Sequence, residues 1–528
     1  MVMLPHYCYF VSIISIRIYN GDIIMHAKEL LELERRDIRA LHYTWIAFFL
    51  TFYVWFNMAP LATSMLQTES YLTPDHIKLF LIANVALTIP GRVIVGMALD
   101  RFGPRRVFSI LMVVMAIPTW FFAFGNSATQ LFVSRLFMSI VGAGFVVGIH
   151  MTTLWFKPKD IGFAEGFYAG WGNFGSAAAA ITIPTVALQF FGGDDGWRWA
   201  IALSGLLMAL YGVAYWFLIT DGPEVGTHKK SRKAGALEVS TWKDLWLYCL
   251  FIIPLYGVLS LLVYRTQAMG FLSATGGIIC YSVIIVMVIY QIYKAISVNV
   301  PVIKAGIPED DKYPFKSVAA LNVSYFANFG AELAVVSMLP MFFAATWKLD
   351  PTAAGLIAST FAFVNLWARP LGGYISDKIG NRRLVMLVYM FGIGIGFVLM
   401  GVLNAKWPLF IAVVFTILCS VFVQGAEGAT FGIIPSIKRR LTGQISGMAG
   451  AYGNVGAVFY LFIYTFVEPN QFFYIIAVGA FVAWIVCYFW LAEPEDAFGD
   501  EYKMSSVDRQ IAAEQGYTKP KIYSIIHL

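Results

Sequence analysis

Residues 91–106 read GRVIVGMALDRFGPRR, and residues 368–383 read ARPLGGYISDKIGNRR. Aligned at an offset of 277, Arg92 meets Arg369, Gly96 meets Gly373, Asp100 meets Asp377 and Gly103 meets Gly380. Arg105 and Arg106 likewise meet Arg382 and Arg383. Further along, GFYAGWGNFGS at 166–176 matches GMAGAYGNVGA at 447–457 at an offset of 281, pairing Gly172 and Asn173 with Gly453 and Asn454. Two motifs in the same order at nearly one offset indicate duplicated halves.

The surrounding composition says what kind of halves. Of 528 residues, 59% are hydrophobic and only 13% are charged. A soluble core cannot hide that much apolar surface, and a disordered chain does not contain it. The formal charge of +6 is spread along the chain, so no nucleic-acid stripe forms and no nucleic-acid partner is expected. Five scattered cysteines form no CxxC or zinc spacing, and no Walker loop, GxSxG or HExxH occurs. Neither an enzyme nor a metal or cofactor protein is expected. The chain reads as an all-α polytopic membrane protein.

A hydrocarbon core of ~30 Å needs about 20 apolar residues per helix. Fourteen stretches qualify: 43–66, 76–98, 107–125, 130–155, 164–191, 197–219, 244–263, 271–293, 319–344, 352–375, 384–404, 407–434, 443–467 and 471–492. Lys and Arg gather in alternate loops, at 101–106, 157–159, 229–233, 304–316, 378–383 and 438–440. Under the positive-inside rule both termini are cytoplasmic. The expected organisation is an N-terminal segment (1–42), a six-helix half (43–220) and a linker (221–316) carrying an extra helix pair near 244–293. A second six-helix half (317–495) and a tail (496–528) follow. Translation is expected to begin at Met25. Eight spans separate the Asp100 and Asp377 loops, so the halves run in parallel sense. This is one of the repeat symmetries of secondary transporters, with the substrate held between the halves near the midplane. The extra pair embeds no ionisable group and is expected to be peripheral and lipid-facing.

Most of the basic residues belong to loops. Arg135 lies near a span's outer end and is expected to snorkel. Arg92 and Arg369 have apolar sequence on both sides, and an arginine at that depth costs ~2.5–3.5 kcal/mol on insertion scales. Two guanidiniums facing each other across the repeat axis call for an anion between them, and their planar fork suits a flat oxyanion. The plainer reading is that each pairs with a nearby carboxylate. Asn173 and Asn454, each among glycines, either reach the substrate or serve helix contacts. Two embedded carboxylates, Glu332 and Glu427, either balance an arginine or carry a proton, with Glu332 the first candidate. Tyr325 and Phe329 lie on one face with Glu332, and Phe145 sits in a glycine-rich run. These rings could wall the site, and His150 is a lone titratable group more in keeping with structure.

These residues carry a resemblance. The run G-x3-D-R-F-G-x-R-R after the second span resembles the loop signature of the major facilitator superfamily, and it recurs in the second half. Arg92 and Arg369, with GWGNFG (170–175) and AYGNVG (451–456), are similar to the nitrate/nitrite porter family within it, over about residues 40–220 and 317–495. The resemblance implies a major facilitator fold of two six-helix halves, here with an inserted pair, and transport of nitrate or nitrite by alternating access. It implies that Arg92 and Arg369 clamp the anion, and that Asn173 and Tyr325 donate hydrogen bonds to it. Phe145 and Phe329 pack it, and Gly172 and Gly453 lie where backbones slide past. It implies cytoplasmic latches at Asp100, Arg101, Arg105 and Arg106 and at Asp377, Lys378, Arg382 and Arg383. FGAEL around Glu332 resembles the branch, including plant-type uptake carriers, that imports nitrate with protons. A monomer in the inner or plasma membrane is expected, with protons, the anion and lipid as its partners. Anion entry against an inside-negative potential is opposed by ~2.3 kcal/mol per 100 mV, so uptake needs co-moving protons or exchange against nitrite. A carrier for another small anion, or a membrane sensor, is the alternative.

Overall fold

The computed structural model describes residues 29–156, 161–222, 236–438, 441–493 and 505–507. Met25 and most of the tail lie outside the described residues, and so do the side chains of Asp100 and Asp377. Thirteen helices among the described residues are long and apolar enough to cross a membrane. In chain order the first six are α1 (Arg36–Thr68), α2 (Pro74–Leu99), α3 (Pro104–Ala123), α4 (Ala128–Trp155), α5 (Phe163–Phe191) and α6 (Gly196–Leu218). The inserted pair is α7 (Trp242–Ala268) and α8 (Ala274–Ala305). Then come α9 (Glu309–Trp347), α10 (Pro351–Ser376), α11 (Arg382–Gly401) and α12 (Leu409–Ile437). α13 (Thr442–Tyr464) has the length but not the hydropathy, because five glycines, a glutamine and an asparagine dilute its apolar residues. α14 (Pro469–Trp490) completes the set.

The helix ends follow from local chemistry. Asp350 caps α10 by accepting from the N–H groups of Thr352 and Ala353, with Pro351 in the first turn. Gly103 and Gly380, the repeated loop glycines, both stand at positive φ, 82° and 71°, and end α2 and α10. Only glycine takes that conformation without a Cβ penalty. The next helix of each half is capped by a carboxylate from the end of that half's sixth helix. Asp221 accepts from Arg105 N at 2.7 Å, and Glu493 accepts from Arg382 N at 3.0 Å and Arg383 N at 2.8 Å. A carboxylate at a helix N-terminus satisfies orphan N–H groups and opposes the helix dipole. The duplication therefore extends beyond the matching letters.

The halves meet where α5 packs on α10 and α13 packs on α2. Gly166 and Gly170 of α5 lie directly against Pro370 and the Asn365 carbonyl, so small residues bring these backbones together.

Two expectations need correction. Arg135 does not snorkel. It is 1% exposed, donates from Nη1 to Asn57 Oδ1 at 2.8 Å and from Nη2 to the Trp55 carbonyl, and lies over the Phe122 ring. Neutral acceptors on α1 solvate the buried guanidinium there. The inserted pair is also only half peripheral. α8 presents most of its surface outward, whereas α7 wedges against α2 of the first half and α9 and α13 of the second. Tyr452 of α13 donates to the Phe251 carbonyl of α7 at 2.6 Å. α8 also runs past the expected 293. Its extension carries Asn299, which donates to Leu237 O and accepts from Val239 N, tying the linker to the helix.

Candidate functional site

Three helices break where the site forms. α2 breaks at Leu87, whose freed N–H donates to Ser139 Oγ at 3.0 Å on a tightened turn of α4. α9 breaks at Asn328, whose side-chain oxygen accepts from the Phe329 N–H. α10 breaks at Val364. Interrupted helices at bilayer depth are tolerated where protein groups satisfy the loose backbone, and they commonly border substrate sites. Just past these breaks stand Arg92, Phe329 and Arg369.

Arg92 and Arg369 share a wall. The guanidinium carbon of Arg92 lies 5.1 Å from the Phe145 ring centre and 5.8 Å from that of Phe329. The corresponding distances for Arg369 are 5.9 and 5.8 Å. The two rings lie nearly parallel, with centroids 6.2 Å apart. Each cation is thus within cation–π range of both rings. The centre is closed, with Arg92 3% and Arg369 0% exposed. Phe431 stands edge-on to Phe145 and Tyr325, and Tyr325 stacks on Phe329 at 4.9 Å.

The arginines differ in their partners. Arg369 Nη1 pairs with Glu427 Oε2 and lies 3.9 Å from Glu332 Oε2, and Nη2 donates to the Tyr325 hydroxyl at 2.8 Å. Nε, Nη1 and Nη2 of Arg92 are buried and have no hydrogen-bond partner among the described residues. Leaving a buried charged donor unpaired is costly, so three such atoms on one side chain mark a place for an acceptor.

The carboxylates differ too. Glu332 is held by amides: Asn365 donates at 2.7 Å, Gln424 at 3.3 Å and Asn173 at 3.3 Å. Glu427 has Oε2 on Arg369, while Oε1 is buried with no hydrogen-bond partner among the described residues.

Of the other residues singled out in the sequence, Gly453 lies against Phe329 and Tyr325, where a Cβ would come within 2.4 Å of a ring carbon. Gly172 lies against Phe48, whose ring adjoins Phe145 at 5.6 Å. Asn454 is fully buried and donates to the Gly450 carbonyl of its own helix at 3.2 Å. Gly450, which the sequence reading passed over, lies directly against Arg92 Nη1. Asn365 and Gln424 were also missed. Each was legible, Asn365 one turn before Arg369 and Gln424 one turn before Glu427.

The basic loop residues find local partners. Arg105 lies over Trp216, Arg382 donates to the Gly432 carbonyl at 2.9 Å, and Arg383 donates to the Tyr488 carbonyl. Arg101 lies over Phe102 and Lys378 over Tyr374, while Arg106 is exposed.

Two helical halves closed around a buried pair of arginines define a membrane carrier rather than an enzyme. The comparisons with known proteins make the family explicit. Residues 44–303 and 321–519 match the Major Facilitator Superfamily. The Nitrate/nitrite transporter NrtP of Picosynechococcus is 42% identical over 503 residues, covering 88% of this chain and 94% of that protein. The Nitrate/nitrite transporter NrtP of Nostoc punctiforme is 43% identical over 472 residues with the same coverage. High affinity nitrate transporter 2.5 of Arabidopsis thaliana is 29% identical, covering 81% of this chain and 74% of that one. Among solved structures, the partially occluded inward-open xylose transporter XylE from E. coli superposes with a TM-score of 0.58 at 14% identity. That match covers 88% of this chain and all of that one, and it speaks to the fold alone. The chain belongs to the nitrate/nitrite porter family of the major facilitator superfamily.

Proposed function

We propose that this protein carries nitrate, and nitrite, across the membrane by alternating access, in symport with protons. The observation that carries the reading is Arg92. It is a buried cation with three unpartnered nitrogen atoms, set against the same two phenyl rings as Arg369. A small planar anion there accepts from Arg92 and is flanked by apolar rings that exclude water. The names of the 42–43% identical relatives support the choice of anion. Asn173, Tyr325 and the Phe145 and Phe329 rings complete the substrate shell. Glu332 and Glu427 supply carboxylates within reach of Arg369, which supports proton coupling over pure exchange. The protein works as a monomer in the cell membrane with both termini cytoplasmic, and the paired basic loops act as cytoplasmic latches.

The test is uptake of labelled nitrate into liposomes, driven either by a proton gradient or by internal nitrite. Uptake under the proton gradient is the expected result, and drive by nitrite alone would assign exchange. Thermal-shift competition among nitrate, nitrite, chlorate and small carboxylates checks the cargo, since ligands stabilise by mass action. A shift confined to carboxylates would reassign it. Binding without flux would make the protein a sensor.

A further inference from the structure

The centre holds two buried cations and two buried carboxylates, unevenly placed. Both carboxylates crowd Arg369, while Arg92, against the same two rings, has neither. Glu427 Oε2 contacts Arg369 Nη1, and Glu332 Oε2 lies 3.9 Å from the same atom. An anion that is to touch both arginines needs an N–H of Arg369, and there Nη1 already holds Glu427 with one of its two N–H groups and Nη2 holds Tyr325 with one of its two. Tyr325 is neutral and donates or accepts equally well, so it can stay beside the anion. Glu427 is a negative charge on the atom the anion needs.

We infer that Glu427 and the transported anion compete for Nη1 of Arg369, and that the co-transported proton enters on Glu427 rather than on Glu332. This rests on the anion-carrier reading above. Glu332 is the poorer competitor because three amide N–H donors hold its carboxylate in place and its nearer oxygen stands 3.9 Å from Nη1, whereas Glu427 contacts that atom directly. Glu427 offers the reverse. Its Oε1 is buried with no hydrogen-bond partner among the described residues, so a proton can sit there without displacing a donor. The proton comes from the outer solution and sits on Glu427. Arg369 Nη1 passes from carboxylate to anion, and on inward release the anion leaves, Arg369 returns to Glu427 and the proton goes to the inner solution. The site charge is the same before loading and with both passengers aboard.

The charged and titratable groups near Glu427 are Arg369 of α10 and Glu332 and Tyr325 of α9, with Arg92 of α2 against the same two rings as Arg369. α5 brings the neutral amide of Asn173 to Glu332. Tyr389 of α11 meets Gly425, on the opposite face of α12.

The experiment measures nitrate affinity of the purified full-length protein between about pH 5.5 and 8.5. Competition predicts tighter binding as pH falls, approaching tenfold per pH unit where Glu427 titrates. Glu427→Gln should flatten that slope to within about twofold over the range, and Glu332→Gln should keep it. A Glu427→Gln protein with the parental slope overturns the inference, as does a Glu332→Gln protein without one. If Glu427→Gln does not survive purification, Glu427→Asp serves in its place. Its shorter arm withdraws the carboxylate from Nη1 and should tighten nitrate binding at high pH by about threefold or more, and unchanged high-pH affinity would overturn the idea. A parent protein that binds nitrate equally at every pH defeats this inference alone. A parent that binds neither nitrate nor nitrite defeats the cargo assignment instead.

Discussion

Asn173 of the N-terminal half donates its amide N–H to Glu332 of the C-terminal half at 3.3 Å, and both side chains are buried. A neutral amide and a carboxylate thus bridge the two halves at the level of the arginines. Asn173→Ala removes one charge-assisted hydrogen bond, with an expected cost of about 1.5–3 kcal/mol. Asn173→Asp sets two carboxylates against each other, and should lower the melting temperature further and abolish uptake. Thermal unfolding and liposome uptake of the two variants check the order.

The two arginines should respond differently to substitution. Lys keeps the charge but loses the fork, so Arg92→Lys and Arg369→Lys should each cut uptake by about a hundredfold or more while the protein reaches the membrane. Arg92→Met should raise the melting temperature of the anion-free protein, by about 1–3 kcal/mol in stability, because it removes a buried cation that has no carboxylate of its own. Arg369→Met should lower it, because Glu427 would be stranded; breaking a buried pair costs about 3–5 kcal/mol. Near-normal uptake by both Lys variants would remove the arginines from the site.

Two glycines separate affinity from folding. A Cβ on Gly450 would sit 2.5 Å from Arg92 Nη1, the end of a flexible side chain. Gly450→Ala should therefore yield folded protein with weakened nitrate binding. A Cβ on Gly428 would sit 2.0 Å from the Arg369 carbonyl oxygen, where backbone must move. Gly428→Ala should lose folded protein outright. Size-exclusion profiles and nitrate titrations distinguish the two.

The inserted pair offers a control outside the site. Tyr452→Phe deletes the hydroxyl that bonds the Phe251 carbonyl, and should cost about 1 kcal/mol with nitrate affinity unchanged. Arg265→Ala breaks an ion pair with Asp75, at 3.3 Å and 62% exposed on the Asp side, and should cost less than about 1 kcal/mol. A large affinity change in the Tyr452 variant would mean that α7 governs the site.

The repeat was legible because it is written in residues that cost something where they stand. Arginine in hydrocarbon, glycine at positive φ and acid beside a basic loop are rarely placed by chance. Arg135 misled for the opposite reason. Its position near a span's end looked like access to water, whereas Asn57 and Trp55, on another helix, fold over it. The inserted pair misled because apolar sequence reads alike whether it faces lipid or a neighbouring helix, and α7 and α8 divide those two fates.

The length of the apolar stretches, the duplicated motifs and the depth of Arg92 and Arg369 settled the fold class, the parallel halves and the residues at their centre from the chain of letters alone. Those features depend on local composition and on the cost of charge in lipid, both of which are local to the sequence. Which carboxylate holds Arg369, which amides hold Glu332, and that Arg92 is left without either were decided by tertiary structure. Those pairings join residues from α2, α5, α9, α10 and α12, and only the packing of the broken helices brings them within hydrogen-bond range.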